Sequence, residues 1–145
     1  MNEIVFVCTG NTCRSPMAEA LFRARGGPAR TGLIPASAGL FAHDGLPASD
    51  YAVQAAGELG GALSGHQARQ LTPEIVTQAK YLVCMTAAHY DRLLALYPQA
   101  EDKLFTLAAC DMADPFGGSL AVYRQSAGEI DRAVEVLIEN LEQRK

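Results

Sequence analysis

The start of the chain constrains the fold more than any other segment, because it joins a strand, a tight turn and a helix. Residues 3–8 form a mostly apolar run, as expected of a strand that is buried on both faces. The Thr-Gly-Asn sequence at 9–11 is a turn signal. Pro16 then indicates the first position of a helix, with Ser15 as its cap and Glu19 in its first turn. This order is typical of parallel α/β sheets.

The rest of the chain repeats the alternation of strands and helices. The Gly-Gly-Pro sequence at 26–28 is expected to end the first helix. Further strands are predicted at residues 31–40, 81–85 and 103–107, and further helices at 48–59, 73–78, 86–97 and around 130–141. This order predicts one α/β domain over residues 1–145, with a three-layer, flavodoxin-like doubly wound fold. Its four-stranded parallel sheet carries helices on both faces. Ligands of such sheets bind beyond the carboxyl ends of the strands, where the loop after the first strand lies.

The composition excludes several classes of partner. With 49% hydrophobic and 19% charged residues, the 145-residue chain is expected to fold as a globule. Its net charge of −4 argues against nucleic acid and anionic membrane surfaces as partners. No run approaches the ~20 apolar residues of a membrane span, and the N-terminus lacks the pattern of a signal peptide. We therefore expect a cytoplasmic protein, and a monomer since no interface is evident.

The four cysteines, Cys8, Cys13, Cys84 and Cys110, do not form a recognisable structural set. Structural disulfides are rare in a reducing cytosol, and no paired Cys-x-x-Cys spacing of a zinc site occurs. No metal or cofactor is therefore expected. Cys84 is expected in the core and Cys110 has no assigned role, whereas Cys8 and Cys13 are expected to have a chemical role.

The loop after the first strand has the composition of a site for a single phosphate group. It consists of Thr9, Gly10, Asn11, Thr12, Cys13, Arg14 and Ser15. A tight turn that leads into a helix presents backbone N–H groups and the positive end of the helix dipole to an anion. Gly10 permits an unusual backbone angle, Asn11 can tie the loop down, and the Arg14 guanidinium matches two phosphate oxygens. The Gly-Lys-Ser/Thr sequence of nucleotide-binding loops is absent, so a nucleotide is not predicted.

Cys8 is expected at the floor of this loop, where amide donors, the helix N-terminus and Arg14 all favour its thiolate form. A thiolate beside a bound phosphoryl group is a nucleophile, and the hydroxyl of Ser15 can donate a hydrogen bond to the sulfur. The alternative is a small buried hydrophobic residue, which is a common role of a cysteine at a strand end. The spacing Cys-x5-Arg-Ser between a strand and a helix favours the nucleophile.

Displacement of a phosphoryl group also needs an acid that protonates the leaving group. Asp114, in the long loop after the fourth strand, is the best candidate because that loop lies at the same edge of the sheet. Once ionised, the same group can activate water against a phosphocysteine. Asp111 is the second choice. The alternative interpretation of Asp114-Pro115 with two following glycines is a simple turn.

Five segments together resemble the low-molecular-weight protein tyrosine phosphatases over almost the whole chain. They are CTGNTCRSPMAE from residue 8, SAG at 37–39, HQARQLT at 66–72, YLVCM at 81–85 and DPFG at 114–117, and the first and last are the specific ones. The resemblance implies Cys8 as nucleophile, Arg14 as phosphate clamp and Asp114 as general acid. It also implies phosphorylated proteins as substrates and a loop-bracing network made of Asn11, Ser15, Ser37 and His66. His43 and His89 are expected to be surface or core residues.

Two positions resemble the bacterial branch of this family that acts on protein phosphoarginine. Thr12 stands where the tyrosine-specific pattern has a bulky aliphatic residue, and Phe116-Gly117 stands where that pattern has two aromatic residues. A small polar side chain on the loop rim suits a planar guanidinium, which Asp114 can bind and Phe116 can stack on. The resemblance further implies that Cys13 traps the nucleophile as a reversible disulfide under oxidation.

The sequence thus predicts a metal-independent phosphoprotein phosphatase that hydrolyses protein phosphoarginine through a cysteinyl-phosphate intermediate. Phosphotyrosine is the alternative substrate. An arsenate reductase would need further well-placed cysteines, and Cys84 and Cys110 do not form such a pair. A non-catalytic phosphate-binding module would have no use for Cys8, Arg14 and Asp114 together.

Overall fold

The computed structural model describes residues 2–144, which form a four-stranded parallel sheet with helices on both faces. The strands are β1 (Glu3–Cys8), β2 (Ile34–Gly39), β3 (Ala79–Cys84) and β4 (Leu104–Thr106), in the spatial order β2-β1-β3-β4. The helices are α1 (Arg14–Ala24), α2 (Gly27–Thr31), α3 (Asp50–Glu58), α4 (Pro73–Gln78), α5 (Ala87–Leu96) and α6 (Leu120–Glu142), with a 3₁₀ helix at Pro98–Lys103. The predicted α/β fold is confirmed. None of the helices within residues 2–144 has the length and apolar character needed to cross a membrane.

The central strand β1 is buried on both faces, as its apolar run predicted. Ile4 and Phe6 pack with α1, α3 and α6 in one hydrophobic cluster. Val5 and Val7 pack with α4 and α5 in the other cluster. Because successive side chains of a strand point to opposite faces, this one run fills both halves of the core. The carboxyl end of β1 is thereby fixed in the middle of the sheet edge.

The first helix begins earlier than the sequence predicted. α1 starts at Arg14 rather than Pro16, and its N-cap residue, Cys13, makes no side-chain capping bond. Ser15 is not the cap, because its hydroxyl is bonded within the preceding loop. Glu19 lies beyond the first turn, which holds no acidic residue. Since the first N–H groups of a helix have no partner within it, proline is tolerated anywhere in that turn and does not fix the first position.

The segment after α1 is a second helix, which the sequence analysis missed. Gly26 has a φ of 74° at the start of α2, and Pro28 lies in the first turn of that helix. The Gly-Gly-Pro sequence therefore ends one helix and begins another, since proline is compatible with a helix start. Gly32, with a φ of 77°, ends α2, so β2 begins at Ile34 rather than at residue 31.

An ion-pair network attaches α1 and α2 to α6. Arg25 donates two hydrogen bonds of 2.7 Å to Asp131 and one of 2.9 Å to Glu135. Arg30 donates two hydrogen bonds of 2.9 Å to Glu135 and also binds Glu142. The bonds from Arg30 and Arg25 lower the pKa of Glu135 to about 2. The same bonds connect α6 to the helix that follows the loop after β1.

Candidate active site

A pocket of about 220 Å³ opens at the carboxyl edge of the sheet, directly beyond β1. It is lined by Cys8, Thr9, Gly10, Thr12, Cys13, Arg14, Asp114 and Phe116. The structure therefore brings the loop after β1 together with the loop before α6. These are the two segments from which the sequence analysis drew its catalytic and selectivity residues.

The sulfur of Cys8 lies at one end of a short hydrogen-bond chain. Cys8 is only 2% exposed, and its Sγ is 2.9 Å from Oγ of Ser15. The side-chain amide of Asn11 donates to the same serine oxygen at 2.9 Å. Because that oxygen already accepts a hydrogen bond from Asn11, its own O–H is available to donate to the sulfur. A hydrogen bond of this kind stabilises a thiolate relative to a thiol.

Asn11 connects the loop after β1 to Ser15, His66 and Arg69 through hydrogen bonds. It is fully buried and has a φ of 59°, so the left-handed residue of the loop is Asn11 rather than Gly10. Its Oδ1 accepts from the backbone N–H of Arg69 at 2.9 Å, and its carbonyl oxygen is 2.7 Å from Nε2 of His66. Since a carbonyl oxygen can only accept, His66 carries a proton on Nε2 and donates it to the loop.

Ser37 and Arg69 lie behind the loop. The hydroxyl of Ser37 donates to Glu19 at 2.6 Å, and its carbonyl oxygen accepts from Nε of Arg69 at 2.9 Å. Arg69 connects Ser37 to Asn11, because its Nε donates to Ser37 and its backbone N–H donates to Asn11. Arg69 was missed as a separate site residue, although it lies inside the HQARQLT segment that carried the resemblance.

Gly39, at the end of β2, allows the loop to approach the neighbouring strand. It pairs in register with Cys8. A Cβ atom at this position would lie 2.5 Å from the carbonyl oxygen of Thr9 and 3.1 Å from the backbone nitrogen of Asn11. The next residue but one, Phe41, donates its N–H to the same Thr9 oxygen at 2.9 Å. Only glycine fits here without displacing the loop.

Arg14 and Asp114 face each other across the pocket. The guanidinium of Arg14 is nearly buried and donates from Nη1 to the carbonyl oxygen of Met112 at 3.1 Å. Its Nη2 lies 3.5 Å from Oδ2 of Asp114, whose side chain is 52% exposed. The arginine is thus held by the protein, whereas the carboxylate is open to solvent and to a ligand.

The loop that carries Asp114 contains a turn and also forms one wall of the pocket. Oδ1 of Asp114 accepts from the backbone N–H of Phe116 at 3.1 Å, and Phe116 is 74% exposed at the pocket mouth. Asp111, the second-choice acid, is engaged elsewhere, because its Oδ1 accepts from the N–H of Ala87 at 2.8 Å at the start of α5. The geometry therefore favours Asp114 over Asp111 as the group that meets a ligand.

Cys13 is buried beside two hydroxyl groups that the sequence analysis did not identify. Its Sγ lies 3.4 Å from Oγ of Ser49 and 3.4 Å from the phenolic oxygen of Tyr123. Burial, together with the hydrogen bond to Cys13, raises the pKa of Tyr123. These partners come from α6 and the residue before α3, so no local sequence pattern connects them with the loop.

His89 is a neighbour of the site, although the sequence analysis treated it as an ordinary surface or core residue. It is buried, and its Nε2 is 2.9 Å from Oγ1 of Thr9. Burial and the charge of Arg14 lower the pKa of His89 to about 4.

Cys84 and His43 were also expected to be core or surface residues rather than site residues. Cys84 is in the core, where burial raises the pKa of its thiol to about 12, and His43 is exposed.

The arrangement suits a ligand that carries a tetrahedral oxyanion. A nearly buried thiol forms the floor of the pocket, a fixed guanidinium forms one wall, and a half-exposed carboxyl group stands at the mouth. The N-terminus of α1 adds the positive end of a helix dipole. Such a set can bind a phosphoryl group and attack it.

Comparison with other sequences identifies the family. The family model described as low molecular weight phosphotyrosine protein phosphatase matches residues 3–145. A protein-arginine-phosphatase from Geobacillus stearothermophilus is 41% identical over 146 residues, which cover 97% of this chain and 96% of that protein. A probable low molecular weight protein-tyrosine-phosphatase, EpsP from Ralstonia nicotianae, is 33% identical over 141 residues, which cover 95% of this chain and 94% of that protein.

Solved structures show the same relationship. The YwlE arginine phosphatase from Geobacillus stearothermophilus matches with a TM-score of 0.91 and 39% identity, over 99% of this chain and 95% of that chain. A cysteine-to-serine mutant of YwlE arginine phosphatase, with a phosphorylated active-site serine, matches with a TM-score of 0.90 and 37% identity, over 96% and 95%. The chain therefore belongs to the low molecular weight phosphotyrosine protein phosphatase family.

Proposed function

We propose that this phosphatase hydrolyses phosphoarginine in proteins through a covalent cysteinyl-phosphate. The thiolate of Cys8 attacks phosphorus, so that an S–P bond forms while the P–N bond to the substrate guanidine breaks. Asp114 gives its proton to the departing nitrogen, and Arg14 and the loop amides hold the phosphoryl oxygens. In the second step, ionised Asp114 takes a proton from water, which attacks phosphorus and releases phosphate and the Cys8 thiolate.

The observation that carries this proposal is the Cys8 sulfur beneath a pocket in which Arg14 and Asp114 face each other at 3.5 Å. Ser15 supports the thiolate as nucleophile and as leaving group through its 2.9 Å contact. The phosphorylated serine in the YwlE mutant supports a covalent phosphoryl-enzyme in that related protein.

Two features support arginine as the phosphorylated residue. Thr12 and Phe116 both line the pocket, and a planar guanidinium fits between a small polar rim and an exposed ring. The relative from Geobacillus stearothermophilus is named a protein-arginine-phosphatase. Phosphotyrosine is the second candidate, since the family description and the name of EpsP both refer to tyrosine phosphatases. The monomeric state, the cytoplasmic location and the single domain over residues 1–145 stay predictions.

Paired peptides test the proposal. Phosphate release is measured from one peptide sequence that carries either phosphoarginine or phosphotyrosine, with a chelator present. We expect kcat/KM to favour the phosphoarginine peptide by about tenfold or more, with full activity in the chelator. Equal or faster release from the phosphotyrosine peptide would overturn the arginine assignment in favour of the second candidate.

Three variants test the roles of the residues. Cys8→Ser is expected to abolish turnover, and a variant that stays active would contradict the cysteinyl-phosphate. Asp114→Asn is expected to lower kcat roughly a hundredfold while inhibition by inorganic phosphate changes little. Asp111→Asn is the matched control, because it makes the same chemical change in the same loop, keeps an oxygen that can accept from the N–H of Ala87, and is expected to retain kcat. If Asp111→Asn lowered kcat more than Asp114→Asn does, Asp111 rather than Asp114 would be the acid.

A further inference from the structure

We propose that His89 is a positioning residue for the phosphatase reaction: its imidazole fixes Thr9, the residue next to the nucleophile, through a partly buried hydrogen bond. The inference rests on the proposed function of the pocket, and it adds a residue from α5, the helix that follows β3. Its basis is the 2.9 Å contact between Nε2 of His89 and Oγ1 of Thr9.

Thr9 is held from two directions. Its carbonyl oxygen accepts from the N–H of Phe41 at 2.9 Å, which joins its main chain to the segment after β2. Its side chain meets His89 on α5, which follows β3 on the other side of β1. Because Thr9 directly follows Cys8 and lines the pocket, a shift of Thr9 would move the wall beside the sulfur.

His89 is held in place by the start of α5 and by its burial. The backbone N–H of His89 donates to Oγ1 of Thr86 at 3.1 Å, and the N–H of Ala87 donates to Asp111 at 2.8 Å. These two bonds fix the first turn of α5. The side chain is packed in the interior, since His89 is only 7% exposed. A rigid donor or acceptor of this kind restrains its partner more than a flexible surface residue would.

The bond to Thr9 explains why a histidine occupies this position. Nδ1 of His89 is buried and has no hydrogen-bond partner within residues 2–144. A buried polar atom without a partner destabilises a fold, so an apolar ring would be the better choice for packing alone. Around the ring, burial and the charge of Arg14 favour the neutral form, while Asp111 and Asp114 oppose them. The ring is therefore expected to stay neutral at neutral pH and to act through Nε2.

A double-mutant cycle tests the positioning role. His89→Phe keeps a ring and removes the hydrogen bond, Thr9→Val keeps the shape of the threonine, and both are also combined. We expect each single variant to lower kcat about fivefold, with little change in KM, and the double variant to lose no more than either single one. His89→Gln, which places a polar atom near the position of Nε2, is expected to restore kcat to within about twofold. His43→Phe, in an exposed loop, is the matched control.

Several outcomes would overturn the proposal. An unchanged kcat in His89→Phe would show that the bond does not matter, and additive losses in the cycle would show that His89 only packs. A lost limb of the pH profile of kcat in His89→Phe would make the residue a proton carrier instead. The same double-mutant cycle can be measured without turnover, from the rate at which iodoacetamide alkylates Cys8 in each variant. It therefore tests the positioning of the loop even if neither phosphopeptide is hydrolysed, an outcome that would contradict only the proposed function.

Discussion

The hydroxyl oxygen of Ser15 lies 2.9 Å from the sulfur of Cys8 and accepts a hydrogen bond from Asn11 on its other side. This arrangement directs the serine proton at the sulfur. A bond to the sulfur is strongest when the sulfur is ionised, so in the proposed mechanism it supports both the attack by Cys8 and its later departure from phosphorus.

Ser15→Ala should therefore slow the reaction in both steps. Hydrogen bonds to charged groups are worth enough that we expect kcat to fall roughly ten- to a hundredfold. Steady-state and single-turnover rates with a phosphoarginine peptide give this value. Ser126→Ala is the control, because it removes a buried serine hydroxyl that has no partner within residues 2–144 and lies outside the loop. Equal rates in Ser15→Ala and wild type would remove Ser15 from the mechanism.

Thr12 should decide between guanidine and phenol leaving groups. Thr12→Ile makes the rim of the pocket larger and apolar, so we expect the ratio of kcat/KM for phosphoarginine over phosphotyrosine peptides to fall about tenfold. Thr12→Val has nearly the shape of threonine and lacks the hydroxyl, and it therefore separates polarity from size. A ratio that stays at the wild-type value in both variants would contradict the argument for selectivity at the rim.

The core of the site could be predicted from the sequence because it is contiguous. β1, the loop and the start of α1 follow one another, and a buried strand followed by a turn and a helix has a recognisable pattern. The link from this loop to Asp114 depended on the rule that parallel strands place their following loops at one edge of the sheet. The boundaries of the helices were predicted less accurately, as the start of α1 at Arg14 and the missed helix α2 show.

The supporting residues could not be predicted in the same way. Tyr123 lies 110 residues after Cys13, and His89 lies 80 residues after Thr9. Neither residue stands in a pattern that distinguishes it from an ordinary helix residue. Their contacts follow from the packing of α6 and α5 against the loop, which depends on three-dimensional geometry that no local spacing encodes.

Oxidation should distinguish Cys13 from the other thiols. With hydrogen peroxide as oxidant, we expect the Cys8 thiolate to become a sulfenic acid, and the thiol of Cys13 to form a disulfide with it and release water. We expect inactivation of the wild type to be reversed by added thiol. In Cys13→Ala the loss is expected to become irreversible, because oxidation of Cys8 continues further. Mass spectrometry and recovered activity give the result.

The exposed Cys110 provides the control for this experiment. Cys110→Ala is expected to recover activity as the wild type does. An irreversible loss in the wild type that is no worse in Cys13→Ala would remove the protective role of Cys13. A third variant, Tyr123→Phe, frees Cys13 from one of its hydroxyl partners, and we expect it to form the disulfide faster.

Gly39→Ala should displace the backbone of the loop after β1. The new Cβ would lie 2.5 Å from the Thr9 carbonyl oxygen, which is backbone and cannot rotate away. We expect kcat/KM to fall by more than about tenfold and the free energy of unfolding to fall by about 1–3 kcal/mol, as is usual for overpacking. Gly57→Ala in α3 is the control, because nothing lies within 4 Å of its new Cβ, and we expect a small gain in stability. Wild-type kinetics in Gly39→Ala would show that the loop can adapt.

Glu135 should make the stability of the fold depend on acid pH. The hydrogen bonds from Arg30 and Arg25 lower its pKa from 4.5 to about 2, so the folded state favours the ionised carboxylate. The stabilisation is then fully present above pH 4.5, and it is lost as the pH falls towards 2. Urea unfolding of wild type and Glu135→Gln at a series of pH values measures it. The two free energies should differ at neutral pH and converge between pH 4.5 and 2.

The size of this effect is limited because the network lies at the surface, where solvent and salt screen ion pairs. We therefore expect added salt to reduce the difference between wild type and Glu135→Gln at neutral pH. Glu139→Gln removes the same charge from an exposed position of the same helix and is expected to change stability by little at any pH. A difference for Glu135→Gln that stays constant down to acid pH would show that the carboxylate is not held ionised by Arg25 and Arg30.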